Sequence, residues 1–166
     1  MRSLSTILLA LFGFFAINHA QAQTWTKPIP LAYTLTQFLS GNTCEASDTI
    51  DFYDGWPATG PDIVYQLRNR QPVGSLHFSS AIITLVPSTY YSSLDFEIFA
   101  CQAKYGNSAY NCPIEADNID QLGQPFQVAI PNQYETFNII VTAANMYESG
   151  YNNPCAPYTL IVQRVP

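Results

Sequence analysis

The sequence predicts an all-β antiparallel sandwich of about eight strands, held by two disulfides. Three observations lead there. Short runs of alternating apolar and polar residues recur along the chain, each bounded by Gly, Pro, Asn or Ser. Helical periodicity is nearly absent. Four cysteines follow an N-terminus built like an export leader.

The leader comes first. Arg2 supplies a positive start, and Leu4 to Ile17 is an almost unbroken apolar run. Ala20-Gln21-Ala22 is the small-x-small pattern that a signal peptidase reads. Residues 1–22 are therefore expected to be removed after Ala22. No cysteine follows the cut to carry a lipid anchor. No second apolar stretch approaches the roughly 20 residues that span a bilayer. The expectation is a secreted or periplasmic protein with no membrane partner. Residues 23–40 would form an N-terminal arm or edge strand, and 41–166 a single domain.

The strands follow in order. Thr49 to Tyr53 alternates. Ile63-Val64-Tyr65-Gln66-Leu67 follows a tight turn at Gly60-Pro61-Asp62, and every second residue from Ile63 on is expected to be buried. Ser75 to Phe78 follows Pro72-Val73-Gly74. Ala81 to Val86 is nearly all apolar and stops at Pro87. Leu94 to Phe99 has period 2. Phe126 to Ile130 alternates and stops at Pro131. Thr136 to Thr142 puts Phe137, Ile139 and Val141 on one face. Tyr158 to Val162 closes the set. Period 2 leaves each sheet one apolar face, which a second sheet must cover.

Cys44, Cys101, Cys112 and Cys155 are an even set behind a leader, and read as two disulfides with three possible pairings. A metal site fails on spacing, since no two lie within C-x₂₋₄-C reach. The formal net charge is −6, and loss of Arg2 with the leader leaves 5 basic and 12 acidic side chains, a net −7. Such a surface repels nucleic acid and anionic lipid. It suits cations or neutral polymers.

From Gly60-Pro61-Asp62-Ile63-Val64-Tyr65 on, the chain resembles the bacterial pre-peptidase C-terminal (PPC) domains, β-sandwiches related to the collagen-binding domains of secreted collagenases. The family's strand of form L/Y-D-x-x-h-h, h being apolar, is matched by Leu94-Asp95-Phe96-Glu97-Ile98-Phe99. Its late strand is matched by Phe137-Asn138-Ile139-Ile140-Val141, and its last by Tyr158-Thr159-Leu160-Ile161-Val162. The match runs from about Cys44 to Val162. The resemblance implies a jelly-roll winding. It implies the pairs Cys101–Cys112 and Cys44–Cys155, each joining a loop to a strand end that the family pattern places nearby. It also implies an association with calcium. Here Pro113-Ile114 stand between Cys112 and the acids that follow it, where the family has an acidic pair directly.

Catalytic motifs are few. After the leader His77 is the single histidine, read as a half-exposed strand residue. There is no G-x-S-x-G elbow, no H-E-x-x-H and no Gly-rich phosphate loop. Oxidised cysteines leave no thiol nucleophile. Carboxylates cluster at Asp48, Asp51 and Asp54 and again after Cys112. Glu115, Asp117, Asn118 and Asp120 offer oxygen ligands for calcium in what reads as a loop; no other cofactor is implied. Asp62 and Asp95 read as turn or strand-end hydrogen-bonding residues.

Aromatics outside the strands are the other feature. Trp56, Tyr90, Tyr91, Tyr105, Tyr110, Tyr147 and Tyr151 carry large contact areas with polar handles, suited to sugars or peptide backbones. The expected function is a secreted, non-catalytic module presenting these loop aromatics to an extracellular polysaccharide or matrix protein. One alternative is a cell-envelope interaction or inhibitor protein. Another is a small glycoside hydrolase, which needs two carboxylates facing each other about 5–10 Å apart. Oligomeric state is not legible.

Overall fold

The runs at 63–67, 81–86, 94–99, 126–130, 136–142 and 158–162 are all strands. The computed structural model describes residues 27–46, 61–68, 78–88, 94–103, 112, 114–117, 123–131, 136–145 and 155–166. The leader, the run at 49–53, Gly60 and residues 75–77 lie outside them. The described strands are β1 (Ile29–Pro30), β2 (Thr36–Asn42), β3 (Ile63–Arg68), β4 (Ser80–Pro87), β5 (Leu94–Gln102), β6 (Ile114–Asp117), β7 (Phe126–Pro131), β8 (Thr136–Asn145) and β9 (Pro157–Val165). The helical pieces among the described residues are a 3₁₀ turn, Thr43–Glu45, and the 3₁₀ position Ala103 after β5.

The strands form two sheets, ordered β1-β3-β8-β5-β6 and β2-β9-β4-β7. From β2 on, successive strands change sheet at every step but one, β5 to β6. That is the jelly-roll winding. All pairings are antiparallel except β1 with β3, which is parallel. No helix among the described residues is long and apolar enough to cross a membrane.

Alternation builds the core. β4 sends Ala81, Ile83 and Leu85 inward, and β9 sends Tyr158, Leu160 and Val162. They meet Ile63, Tyr65 and Leu67 of β3, Phe96, Ile98 and Ala100 of β5, and Phe137, Ile139 and Val141 of β8. Each fully buried aliphatic or aromatic side chain here contributes about 1.5–3 kcal/mol. Tyr65 and Tyr158 reach across from opposite sheets, and their hydroxyls share a hydrogen bond of 2.9 Å. Phe96 packs edge-on to Tyr158 at 5.7 Å. The Tyr158 ring lies over Gly41, its cross-strand neighbour. A Cβ at position 41 would come 2.8 Å from its Cε2, so only glycine leaves room there.

Both disulfides form, Cys44–Cys155 and Cys101–Cys112. The first closes the end of the β2–β9 pair. There Thr43 N–H donates to the Ala156 carbonyl at 3.1 Å, and Ala156 N–H donates to Thr43 Oγ1 at 2.9 Å. The long 111-residue separation makes this bridge worth about 5 kcal/mol in chain entropy, against about 3 for the short 11-residue one.

Two expectations need correcting. β3 does not alternate in burial: Val64 is as buried as Ile63 and Tyr65. The reason is that the outer face of its sheet is covered. Val64 packs there with Phe99, Ile140 and the Cys101–Cys112 pair. Glu115 and Asp117 do not sit in a loop, for residues 114–117 form edge strand β6, with Glu115 opposite Phe99 and Asp117 opposite Glu97. Asp62, read as a turn or strand-end residue, stands directly ahead of β3 and is fully buried there.

Candidate functional site: an uncharged sheet face

Among the described residues, the outer face of the four-stranded sheet is open. Cross-strand register defines its rows, because directly opposed residues share a face. One row is Phe38–Ile161–Thr84–Gln127, and the next is Thr36–Gln163–Ile82–Ala129. A third is Ser40–Thr159–Val86, and Val165, Ser80 and Pro131 form a fourth. None of these residues carries a charge. Phe38 is 69% exposed, and Gln127, Ala129 and Gln163 are exposed as well. Ile82, Thr84, Val86, Thr159 and Ile161 are partly exposed, as side chains shoulder to shoulder on an uncovered sheet are.

The chemistry of this face is that of hydroxyls, amides and hydrocarbon. It offers donors and acceptors beside apolar area, with nothing that titrates near neutrality. The titratable groups with displaced pKa values sit elsewhere. Burial pushes the Tyr158 hydroxyl well above the usual tyrosine range, and its Tyr65 neighbour adds to the rise. Burial also raises Tyr65, while its bond to Tyr158 works the other way.

At one end of the sandwich Arg164 points inward from β9, almost fully buried. Its guanidinium stacks 4.6 Å from the Tyr33 ring centre and 5.8 Å from that of Phe78. It donates at 3.3 Å to the carbonyls of Arg68 and of Ala32. Burial lowers its pKa and the Tyr33 hydroxyl opposes that shift. Arg164 thus joins β9 to β3 and to the segment before β2, a packing role under the core.

No protein-family model matches the chain, and no curated protein matches it.

The residues singled out from sequence fare unevenly. The four cysteines are paired as the resemblance implies. The backbones of Glu115 and Asp117 belong to β6, while Asn118 and Asp120 lie outside the described residues. Trp56, Tyr90, Tyr91, Tyr105, Tyr110, Tyr147, Tyr151 and His77 lie outside them too. Among the described residues no three acidic, His or Cys side chains gather as a metal would need. Phe38 and the uncharged face were not singled out. A signal for them exists: the alternate positions Ser80, Ile82, Thr84 and Val86 of β4 and Thr159, Ile161, Gln163 and Val165 of β9 lack the charges a solvated face carries.

Proposed function

We propose that this protein is a secreted, non-catalytic binding module that lays the outer face of its four-stranded sheet on an uncharged extracellular polysaccharide. The observation that carries the reading is the absence of charge from every row of that face, in a chain whose net charge is −6. Sugars present alternating hydroxyl edges and C–H faces. Thr84, Thr159, Gln127 and Gln163 suit the former, and Phe38, Ile82 and Ile161 the latter. The pairing of polar and apolar groups along an open sheet face fits an extended polymer chain better than a small ligand, which takes a concave pocket. Glycoside hydrolysis takes two opposed carboxylates, and the rows offer none. Export is supported by the leader-like N-terminus and by two disulfides, which persist in oxidising compartments. The resemblance to PPC domains points the same way, towards an exported module that holds a polymer.

The test is co-sedimentation with insoluble neutral polysaccharides, with fibrillar collagen as the protein arm. Binding to a neutral glycan, weakened about tenfold (1.4 kcal/mol) by Thr84→Asp, is the expected result. Capture by collagen alone would move the ligand to a matrix protein. Glycan binding untouched by both Thr84→Asp and Ile161→Asp would take the site off this face.

A further inference from the structure

Among the described residues four strands end the two sheets, and three of them are guarded. β1 is two residues long and contains Pro30, with Pro28 just ahead. β6 is four residues long and half acidic. β7 is closed by prolines at both ends, Pro125 and Pro131. Shortness, charge and proline are the devices that keep a strand edge from pairing with another chain. β2 has none of them. It runs seven residues, Thr36 to Asn42, with no proline, and no residue from Thr34 to Cys44 is charged.

The free groups of that edge are countable. Arg164 N–H donates to the Leu35 carbonyl, and Thr43 N–H to that of Ala156. In an antiparallel ladder the bonded residues alternate. So the odd residues from 35 to 43 bond to β9, and Thr36, Phe38, Ser40 and Asn42 turn their N–H and C=O outward. The Thr36 carbonyl accepts from the Thr34 hydroxyl and the Asn42 side chain accepts from Cys44 N–H. Among the described residues, no strand lies against Phe38 or Ser40 on this side.

We infer that two copies of this chain pair antiparallel through their β2 edges, with Phe38 on the two-fold axis. Such a register sets Phe38 against its own copy and Thr36 against Ser40, and makes about six inter-chain hydrogen bonds. It buries the most exposed large apolar side chain of the described structure against an identical ring, the kind of aromatic pair that stabilises a sheet. Like-charge repulsion, which a net-acidic chain meets over most of its surface, is absent along this edge because no charge stands on it. The edge is also held in place beforehand. The Cys44–Cys155 bridge and the Thr43–Ala156 bonds fix one end and the Leu35–Arg164 bond the other, so little freedom is lost on pairing. The result is one continuous eight-stranded sheet across the dimer. This inference stands on the strand edge and not on the ligand of the face.

The experiment is sedimentation equilibrium of the protein with both disulfides formed, in the absence of glycan. A concentration-dependent dimer is expected, which Phe38→Lys and Ser40→Pro each convert to monomer. Ser40→Pro removes an outward N–H and leaves the ladder to β9 whole. Thr84→Asp, at the centre of the face, should dimerise as wild type does, which separates this result from the glycan test. If the edge variants fold poorly, Phe38→Cys replaces them. Opposed residues of a hydrogen-bonded pair are about 5.5 Å apart between Cα atoms, within disulfide reach. A covalent dimer should then appear on oxidation, and Gln37→Cys should give none. A monomer at every concentration overturns the inference, as does a dimer that survives both edge variants.

Discussion

The two outer faces of this sandwich have opposite histories in the same chain. On the five-stranded sheet, Val64, Phe99, Ile140 and Cys101 are closed from solvent, and Asp62 and Thr142 beside them are fully buried too. On the four-stranded sheet, the equivalent outward positions of β2, β4, β7 and β9 are open. The covered face nonetheless holds one fully buried carboxyl side chain, Asp62, while the described rows of the open face hold no ionisable side chain. A face kept uncharged while exposed is paying no packing role, which is the reason to look for its partner outside the molecule.

The sharpest way to break the comparison is to place the same charge on both faces. Val64→Asp puts a carboxylate where there is no solvent, and should cost about 4 kcal/mol or more in a denaturant titration. Ile161→Asp on the open face should stay within about 1 kcal/mol. Equal losses would mean that the four-stranded face is covered as well.

Removing the bridge over the covered face comes next. Cys101→Ala with Cys112→Ala should lower stability by about 3 kcal/mol and raise dye binding to newly exposed apolar surface. No change in dye binding would show that the bridge does not hold that face closed.

The shared core supplies a yardstick of intermediate size. Tyr158→Phe leaves the buried Tyr65 hydroxyl without its 2.9 Å partner, at a cost of about 1–3 kcal/mol. The same pair sets an alkaline limit. Both tyrosines have folded pKa values above the unfolded value near 10. Their contribution is fully present below about pH 10 and is lost as pH rises beyond it, because the unfolded chain then releases protons that the folded one keeps. Unfolding followed between pH 9 and 11 should show the decline, and Tyr158→Phe should flatten it. A decline identical in the variant would assign it to other groups.

The smallest effect expected is that of calcium. β6 takes the backbone of Glu115 and Asp117 into an edge strand, away from the loop that a calcium site would favour. A thermal melt with millimolar calcium should superimpose on one with chelator. A rise that Asp117→Ala abolishes would restore the cation site.

The jelly-roll fold was legible because its central strands obey simple rules. β4, β5, β7, β8 and β9 all show period 2 or an apolar run ended by proline, and the disulfide pairing came with the resemblance. Two elements were harder to read. β6 is half acidic, and acids are poor strand formers; at an edge, however, they serve by discouraging further pairing. β3 reads as alternating only if its outer face is wet, and nothing local announces that Val64 will be covered. The candidate site was less legible than the fold. Attention to aromatics outside strands passes over Phe38, whose exposure depends on β2 lying at an edge. Lack of charge across a face is a property of four strands at once, and only register assembles it.

The Cys44–Cys155 bridge has a mechanical consequence. Pulling on the two ends of the domain loads β2 and β9 at the same end, since Thr36 lies opposite Gln163. That geometry unzips strands one pair at a time, beginning beside the buried Arg164. The unzipping cannot pass the bridge. Everything between Cys44 and Cys155, a separation of 111 residues, is bypassed by the force. Under tension the molecule would give up only the strands that lie outside the bridge in the chain, β1, β2 and β9, and lengthen by a fixed amount, with the enclosed span still tied at its root. A module that grips a polymer at one face and is tugged through its chain ends would therefore yield and stop.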